Sequence, residues 1–285
     1  MAEEKGYETR SVKRLNTPKL TSAYQKEWFM GLRKRIEAGE PFGFVGANTP
    51  MEILQAMDIP FVVNQWWTAL CAAKQMGPRF YDLLEQAGYR NDICSYCAAA
   101  YACSLDPKSE EGPWGGLPNP TLIICGETCS SGIKIEELMT EAFGAEAFRI
   151  HHYHQDVIRD NWWELSCDNW EELIGKKRLD FYENELRLLI SFLEQKTGRR
   201  LDLNRLIETL NNVNEQETYY RMTRDLIAKT VPAPVTVTDT VNAVMQAQWH
   251  RGTRWGVEMA KSLYEEVKER VEKGIPAVPN EKIRL

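Results

Sequence analysis

Apolar positions along this chain recur on two different scales. Tyr24, Trp28, Leu32, Arg35 and Ile36 fall near helical spacing and predict a helix over 21–38, stopped by Gly39 and Pro41. From 42 to about 151, short apolar runs take over. Phe42–Val45, Pro60–Val63, Thr121–Cys125 and Ala147–Ile150 are each too short for a helix and are followed by turn residues, the pattern of parallel strands buried on both faces. Helices are predicted between them: 50–57, opened by Thr49-Pro50, then 67–87 ending at Gly88, and 131–143 ending at Gly144. The stretch Pro107–Pro120, with Gly112, Gly115 and Gly116 among its prolines, reads as a surface loop.

Beyond about residue 160 the period is helical. Asp180 with Glu183 makes a capping-box-like start for a helix carrying Leu186, Leu189, Ile190 and Leu193. Asp202 opens another through Leu203, Leu206, Ile207, Leu210 and Val213, and a last one at 253–273 carries Met259, Leu263, Val267 and Val271. Lys282-Ile283-Arg284-Leu285 reads as the opening of a strand. The expected fold class is α/β, a doubly wound, mostly parallel sheet domain at 41–158 followed by a helical domain at 159–280. An N-terminal arm and helix occupy 1–40, and 281–285 would begin a second α/β domain, truncated here or supplied separately.

Composition narrows the function. At 285 residues, two structural units are expected. A net charge of −6 without a basic stripe argues against nucleic acid as a partner. The charged start has no apolar signal core, and no run approaches the ~18 apolar residues of a membrane span. A cytoplasmic, reducing location is expected, where seven cysteines mean metal, reactivity or packing rather than disulfides. Nine tryptophans, including the pairs Trp66-Trp67 and Trp162-Trp163, suit an aromatic-lined pocket, a subunit interface or two layers of core.

Six of the seven cysteines lie between 71 and 129. In an open α/β sheet, ligands bind in the crevice at the carboxyl ends of the strands. Cys125 closes a predicted strand, Cys129 precedes a helix, and Cys94 sits where Asn91-Asp92 turns into an Ala-rich helical stretch. Cys94 and Cys129 are the candidate metal ligands, on two loops that converge above the sheet, with packing thiols as the other reading. Cys94-Ser95-Tyr96-Cys97 is also a C-x-x-C, but no second such pair completes a zinc site and no thioredoxin-like flanks surround it. Cys71 and Cys103 read as core. Asn64, Gln65, Trp66 and Trp67 follow the second strand and are candidate substrate-binding residues lining an acyl pocket. Glu127, between two cysteines, is the candidate catalytic acid or base; a carboxylate that accepts loop amides is the alternative. His151, His152 and His154 read as solvated, and His250 as structural.

Four places in order resemble one family, the 2-hydroxyacyl-CoA dehydratase and benzoyl-CoA reductase subunits, including the 2-hydroxyglutaryl-CoA dehydratase D-component. Thr49–Pro60 is similar to the family's Pro-Glu-Glu-hydrophobic helix and the strand entry after it. Gly88–Tyr96 resembles its Leu-Cys-Ser-Tyr motif, Cys129 its second cysteine, and 264–285 the element that enters its C-terminal domain. Gly46 departs from the cysteine or serine many members carry there, and Ala98 from arginine. The resemblance implies a [4Fe–4S] cluster on three cysteines, two of them Cys94 and Cys129, with the third from the second α/β domain and one iron position open. It implies partnership with a homologous family subunit, an ATP-dependent [4Fe–4S] activator or electron-donor subunit, and an acyl-CoA substrate whose thioester carbonyl accepts one low-potential electron. The Trp-rich composition and the Asn64–Cys71 stretch resemble the aromatic, benzoyl-CoA reductase type of acyl-CoA reductase more than the dehydratases. A radical 2-hydroxyacyl-CoA dehydratase subunit and a cluster-free structural subunit scaffolding a catalytic partner are the alternatives.

Overall fold

The computed structural model describes residues 14–90, 94–127, 129–152, 159–278 and 280–283. The chain forms two compact units, one of Gly31–Leu203 and one combining residues up to Met30 with Asn204 onward.

The first unit is α/β. Its strands are β1 (Gly43–Val45), β2 (Phe61–Val63), β3 (Leu122–Gly126) and β4 (Glu146–Ile150), in the order β2-β1-β3-β4. Every neighbouring pair is parallel: Gly43 is level with Phe61 on one side and Leu122 on the other, and Leu122 is level with Glu146. Phe44, Val45, Val62, Val63, Ile123 and Ile124 are almost wholly buried, as doubly covered parallel strands require. The expected strands thus appear in place: β1 and β2 each lose their first residue, β3 is shifted on by one, and β4 gains Glu146. Pro60 still takes part, its carbonyl accepting from Gly43 N at 2.9 Å.

Helices α2 (Met51–Ala56), α3 (Asn64–Ala73), α4 (Gly77–Gln86), α5 (Ser95–Leu105) and α6 (Ser130–Phe143) fill the crossovers, and α7 (Trp162–Asp168), α8 (Trp170–Ile174) and α9 (Lys176–Thr197) follow β4. The single helix expected over 67–87 is two. Gln75 takes φ 59°, and Pro78, which has no N–H to donate, sits in the first turn of α4. Two short 3₁₀ turns, Ser109–Glu111 and Pro113–Gly115, interrupt the expected loop. Helix α5 is buried from Cys97 to Ala102, and small alanines let α3, α4 and α6 approach it. Helix α9 packs on β4 with Leu189 and Leu193 fully buried.

The second unit is helical, built from α1 (Thr17–Glu37) up to Met30, α10 (Leu203–Lys229), α11 (Val237–Gln248) and α12 (Arg254–Glu272). Its core gathers Leu15, Tyr220, Val235, Ala243, Ala260, Leu263 and Val267. Helix α1 begins a turn before the expected start because the Glu266 carboxylate accepts from Asn16 N and Thr17 N at 2.8 and 2.9 Å, satisfying amides that have no intrahelical partner. Thr236 and Asp239 form a full capping box on α11. Glu281–Ile283 has no strand assignment, and Arg284 and Leu285 lie outside the described residues. Among the described residues, no helix is long and apolar enough to cross a membrane.

His250 is 4% exposed, boxed by the rings of Tyr24, Trp28 and Trp255, with Nε2 3.2 Å from Gln25 Oε1. Burial lowers its pKa from 6.5 to about 3. The unfolded chain therefore takes up a proton that the folded chain refuses, so stability is lost as pH falls below the unfolded value. Urea melts followed by tryptophan fluorescence should show roughly 2 kcal/mol of stability lost through this group between about pH 7 and about pH 5. His250→Gln should remove that component of the acid dependence.

Candidate functional site

Because all four strands run parallel, the segments leaving their carboxyl ends meet along one edge of the sheet unit. Gly46–Thr49 leaves β1, Asn64 and Gln65 open α3 after β2, Glu127 follows β3, and His151 and His152 follow β4. The edge is cross-linked. Gln65 Oε1 accepts from Ala47 N at 2.9 Å, and Asn48 Nδ2 lies 3.1 Å from His152 Nε2. A Cβ at Gly126 would overlap both Asn48 and His152, so only glycine lets that bridge pass over the end of β3.

Cys94 and Cys129 are exposed and are the N-caps of α5 and α6. Cys129 Sγ accepts from Gly132 N at 3.2 Å, and the Cys94 carbonyl accepts from Cys97 N and Ala98 N at 3.0 Å each. A third thiol, Cys97, lies one helical turn beyond Cys94. It is buried, and burial together with the neighbouring Cys94 and Cys129 sulfurs pushes it up to about 12. Gly132 gives these sulfurs room, since a Cβ there would be 3.3 Å from Cys129 Sγ and 3.9 Å from Cys97 Sγ. The i, i+3 spacing of Cys97 from Cys94 was the sequence signal, because that spacing puts both on one face of a helix. Burial first, and Glu136 second, pushes Cys125 up to about 12. Among the described residues, no three His, Cys, Asp or Glu side chains are placed to hold a metal ion.

Glu127 lies 3.8 Å from Nε2 of His151, whose Nδ1 is 3.1 Å from Glu185 Oε2; the same oxygen accepts the His151 backbone N–H at 2.9 Å. Glu185 went unnoticed in the sequence, although it shares the buried face of α9 with Leu189 and Leu193, and a carboxylate on an apolar stripe is a signal in itself. His154 lies outside the described residues.

The residues after β2 divide by depth. Asn64 and Gln65 are half-buried, with Asn64 Oδ1 3.4 Å from Thr68 Oγ1. Trp66 and Trp67 are buried, and Trp67 Nε1 donates to Cys103 Sγ at 3.3 Å. The free thiols of Cys71 and Cys103 are hydrogen-bonded to each other; that bond together with burial raises Cys71 strongly, and the same bond holds Cys103 below its ordinary value. A cavity of about 180 Å³ between α3, α4 and α5 is lined by Thr68, Cys71, Phe80, Leu84, Tyr96 and Ala99 among others.

Residues 47–285 match the family described as 2-hydroxyglutaryl-CoA dehydratase, D-component, and the chain belongs to that family. It is 25% identical over 239 residues to an (R)-phenyllactyl-CoA dehydratase alpha subunit from Clostridium sporogenes, covering 84% of this chain and 54% of that protein. It is 22% identical over 251 residues to an (R)-2-hydroxyisocaproyl-CoA dehydratase alpha subunit from Clostridioides difficile, covering 87% of this chain and 57% of that protein. The chain thus spans about half the length of the curated relatives it matches.

Exposure and helix position together set an order of thiol reactivity. In the native chain, iodoacetamide followed by peptide mass spectrometry should label the exposed Cys94, Cys129 and Cys167 first, and Cys71, Cys97 and Cys125 last. Early labelling of Cys97 with Cys129 protected would contradict this placement.

Proposed function

We propose that this chain is part of a 2-hydroxyacyl-CoA dehydratase subunit that holds one edge of an iron–sulfur site and removes water from a 2-hydroxyacyl-CoA thioester. The observation that carries the reading is the pair of exposed thiols, Cys94 and Cys129, each at the N-terminus of a helix beside the carboxyl ends of a parallel sheet. Dehydration replaces the reductase chemistry favoured by composition alone, since both relatives are named dehydratase subunits and Trp66 and Trp67, which suggested the aromatic branch, are buried.

The two thiols fit a [4Fe–4S] cluster in donor type and access: soft sulfur, open to solvent, at two helix N-termini. They do not complete a site alone, and further ligands would come from outside the described residues. When bound, the cluster would supply a relay for single low-potential electrons and an open iron position. The chain's own groups do the rest. Glu127 puts a carboxylate beside the thiols, Asn64 and Gln65 offer amides after β2, and Trp66 and Trp67 hold α3 in the core beneath them. A homologous second subunit, an ATP-dependent activator delivering the electron and an acyl-CoA substrate complete the proposal, in a cytoplasmic, anaerobic setting.

Anaerobic purification with the partner subunit, followed by iron and sulfide analysis and a dehydration assay on 2-hydroxyacyl-CoA thioesters, tests the reading. Cys94→Ser and Cys129→Ser should each cut retained iron about tenfold or more, whereas Cys71→Ser should leave it near wild type. Iron-free wild-type protein in a complex that dehydrates nothing would favour the scaffold role instead.

A further inference from the structure

Outside the thiols, one group of titratable side chains is oriented by bonds that would serve no purpose in a solvated loop. His151 leaves β4 with its backbone N–H and its Nδ1 both directed at Glu185 Oε2, at 2.9 and 3.1 Å. Glu185 is 7% exposed and occupies a face of α9 otherwise used for leucine packing. A buried carboxylate there costs stability unless its bonds repay it. An oxygen already accepting the backbone N–H acts as an acceptor, so Nδ1 carries its hydrogen toward Glu185 and Nε2 is left to exchange a proton. That nitrogen faces Glu127 Oε1 at 3.8 Å, and the His151 side chain is 56% exposed, open to a substrate. Among the described residues, the charged groups facing the ring are Glu185 from α9 and Glu127 from the segment after β3. On its own segment, His152 turns to Asn48, and Arg149 pairs with Glu136 and Glu137.

We infer that His151 is a proton-transferring catalytic residue of this site and that Glu185 is its positioning residue. The inference rests on the dehydratase reading. Dehydration breaks the C–O bond of the substrate hydroxyl and a C–H bond on the adjacent carbon and forms a C=C double bond between the two carbons and one O–H bond of the released water, with no net change in electrons. The imidazolium gives its Nε2 proton to the departing oxygen, which leaves as water, and the neutral ring then takes the proton released from the adjacent carbon. Glu185 fixes the ring and the tautomer, so the ring need not reorganise between the two transfers.

The test uses the complete, cluster-loaded enzyme. His151→Asn should lower kcat by roughly 10²- to 10⁴-fold while KM and iron content stay near wild type. Glu185→Gln should lower kcat by less than His151→Asn with KM and iron content near wild type, and should let neutral His151 populate the Nε2–H tautomer in long-range ¹H–¹⁵N correlation, because the ring loses the acceptor that fixes its Nδ1–H. A His151→Asn enzyme with kcat unchanged overturns the inference while leaving the dehydratase reading intact. A wild-type enzyme that dehydrates no acyl-CoA removes that reading and the inference with it. Should the variants fail to fold, long-range ¹H–¹⁵N correlation on the wild-type chain decides the geometry: neutral His151 protonated at Nδ1 supports the inference, and protonation at Nε2 overturns it.

Discussion

The parallel hydrogen-bonded ladder of β1 with β2 and β3, and of β3 with β4, is the constraint on which the rest of the sheet unit depends. A parallel pair cannot close through a tight hairpin, so each strand returns by a crossover and every carboxyl end points the same way. That geometry alone brings Gly46, Asn64, Glu127, Cys129 and His151, far apart in sequence, to one edge. It also sends α3 away from the carboxyl end of β2 and α6 away from that of β3, so the positive end of the α6 dipole lies beside Cys129.

Burial then sorts the sulfurs that this arrangement gathers. Cys71 and Cys103 join the Trp67 indole in the core, and Cys97 and Cys125 are raised to about 12, where a thiol stays protonated near neutrality. Cys94 and Cys129 keep solvent access and helix N-termini. Their different chemistry follows from position, since the residue type is the same. The carboxylates divide in a similar way: Glu136 is buried against Arg149, Glu185 is buried and spent on His151, and Glu127 remains within reach of solvent.

How much of this was legible in the sequence depended on range. Strands were readable because runs such as Phe61-Val62-Val63 are too short and too apolar to be anything else, and Cys94 and Cys129 because turn residues flank both. The break between α3 and α4 was harder to see: Gly77-Pro78 announced it, but the positive φ is carried by Gln75, a residue with no special liking for it. Trp66 and Trp67 sit at the edge of the crevice in sequence, yet their depth was invisible, since tertiary contacts with Trp114 and Cys103 fix it. Glu185 and His151 are 34 residues apart, and nothing local pairs them. Likewise, the uniform helical pattern after residue 160 carries no mark of where Leu203 ends one unit and Asn204 joins the other.

Cys94 and Cys129 stand in this account as two ligands of one iron–sulfur site, and diffraction can examine that directly. Crystals of the anaerobically purified full-length protein with its partner subunit, measured on both sides of the iron absorption edge, should show an anomalous peak within bonding distance of both sulfurs. A well-ordered structure with no iron signal between those two residues, or with iron bound elsewhere in the chain, would contradict it.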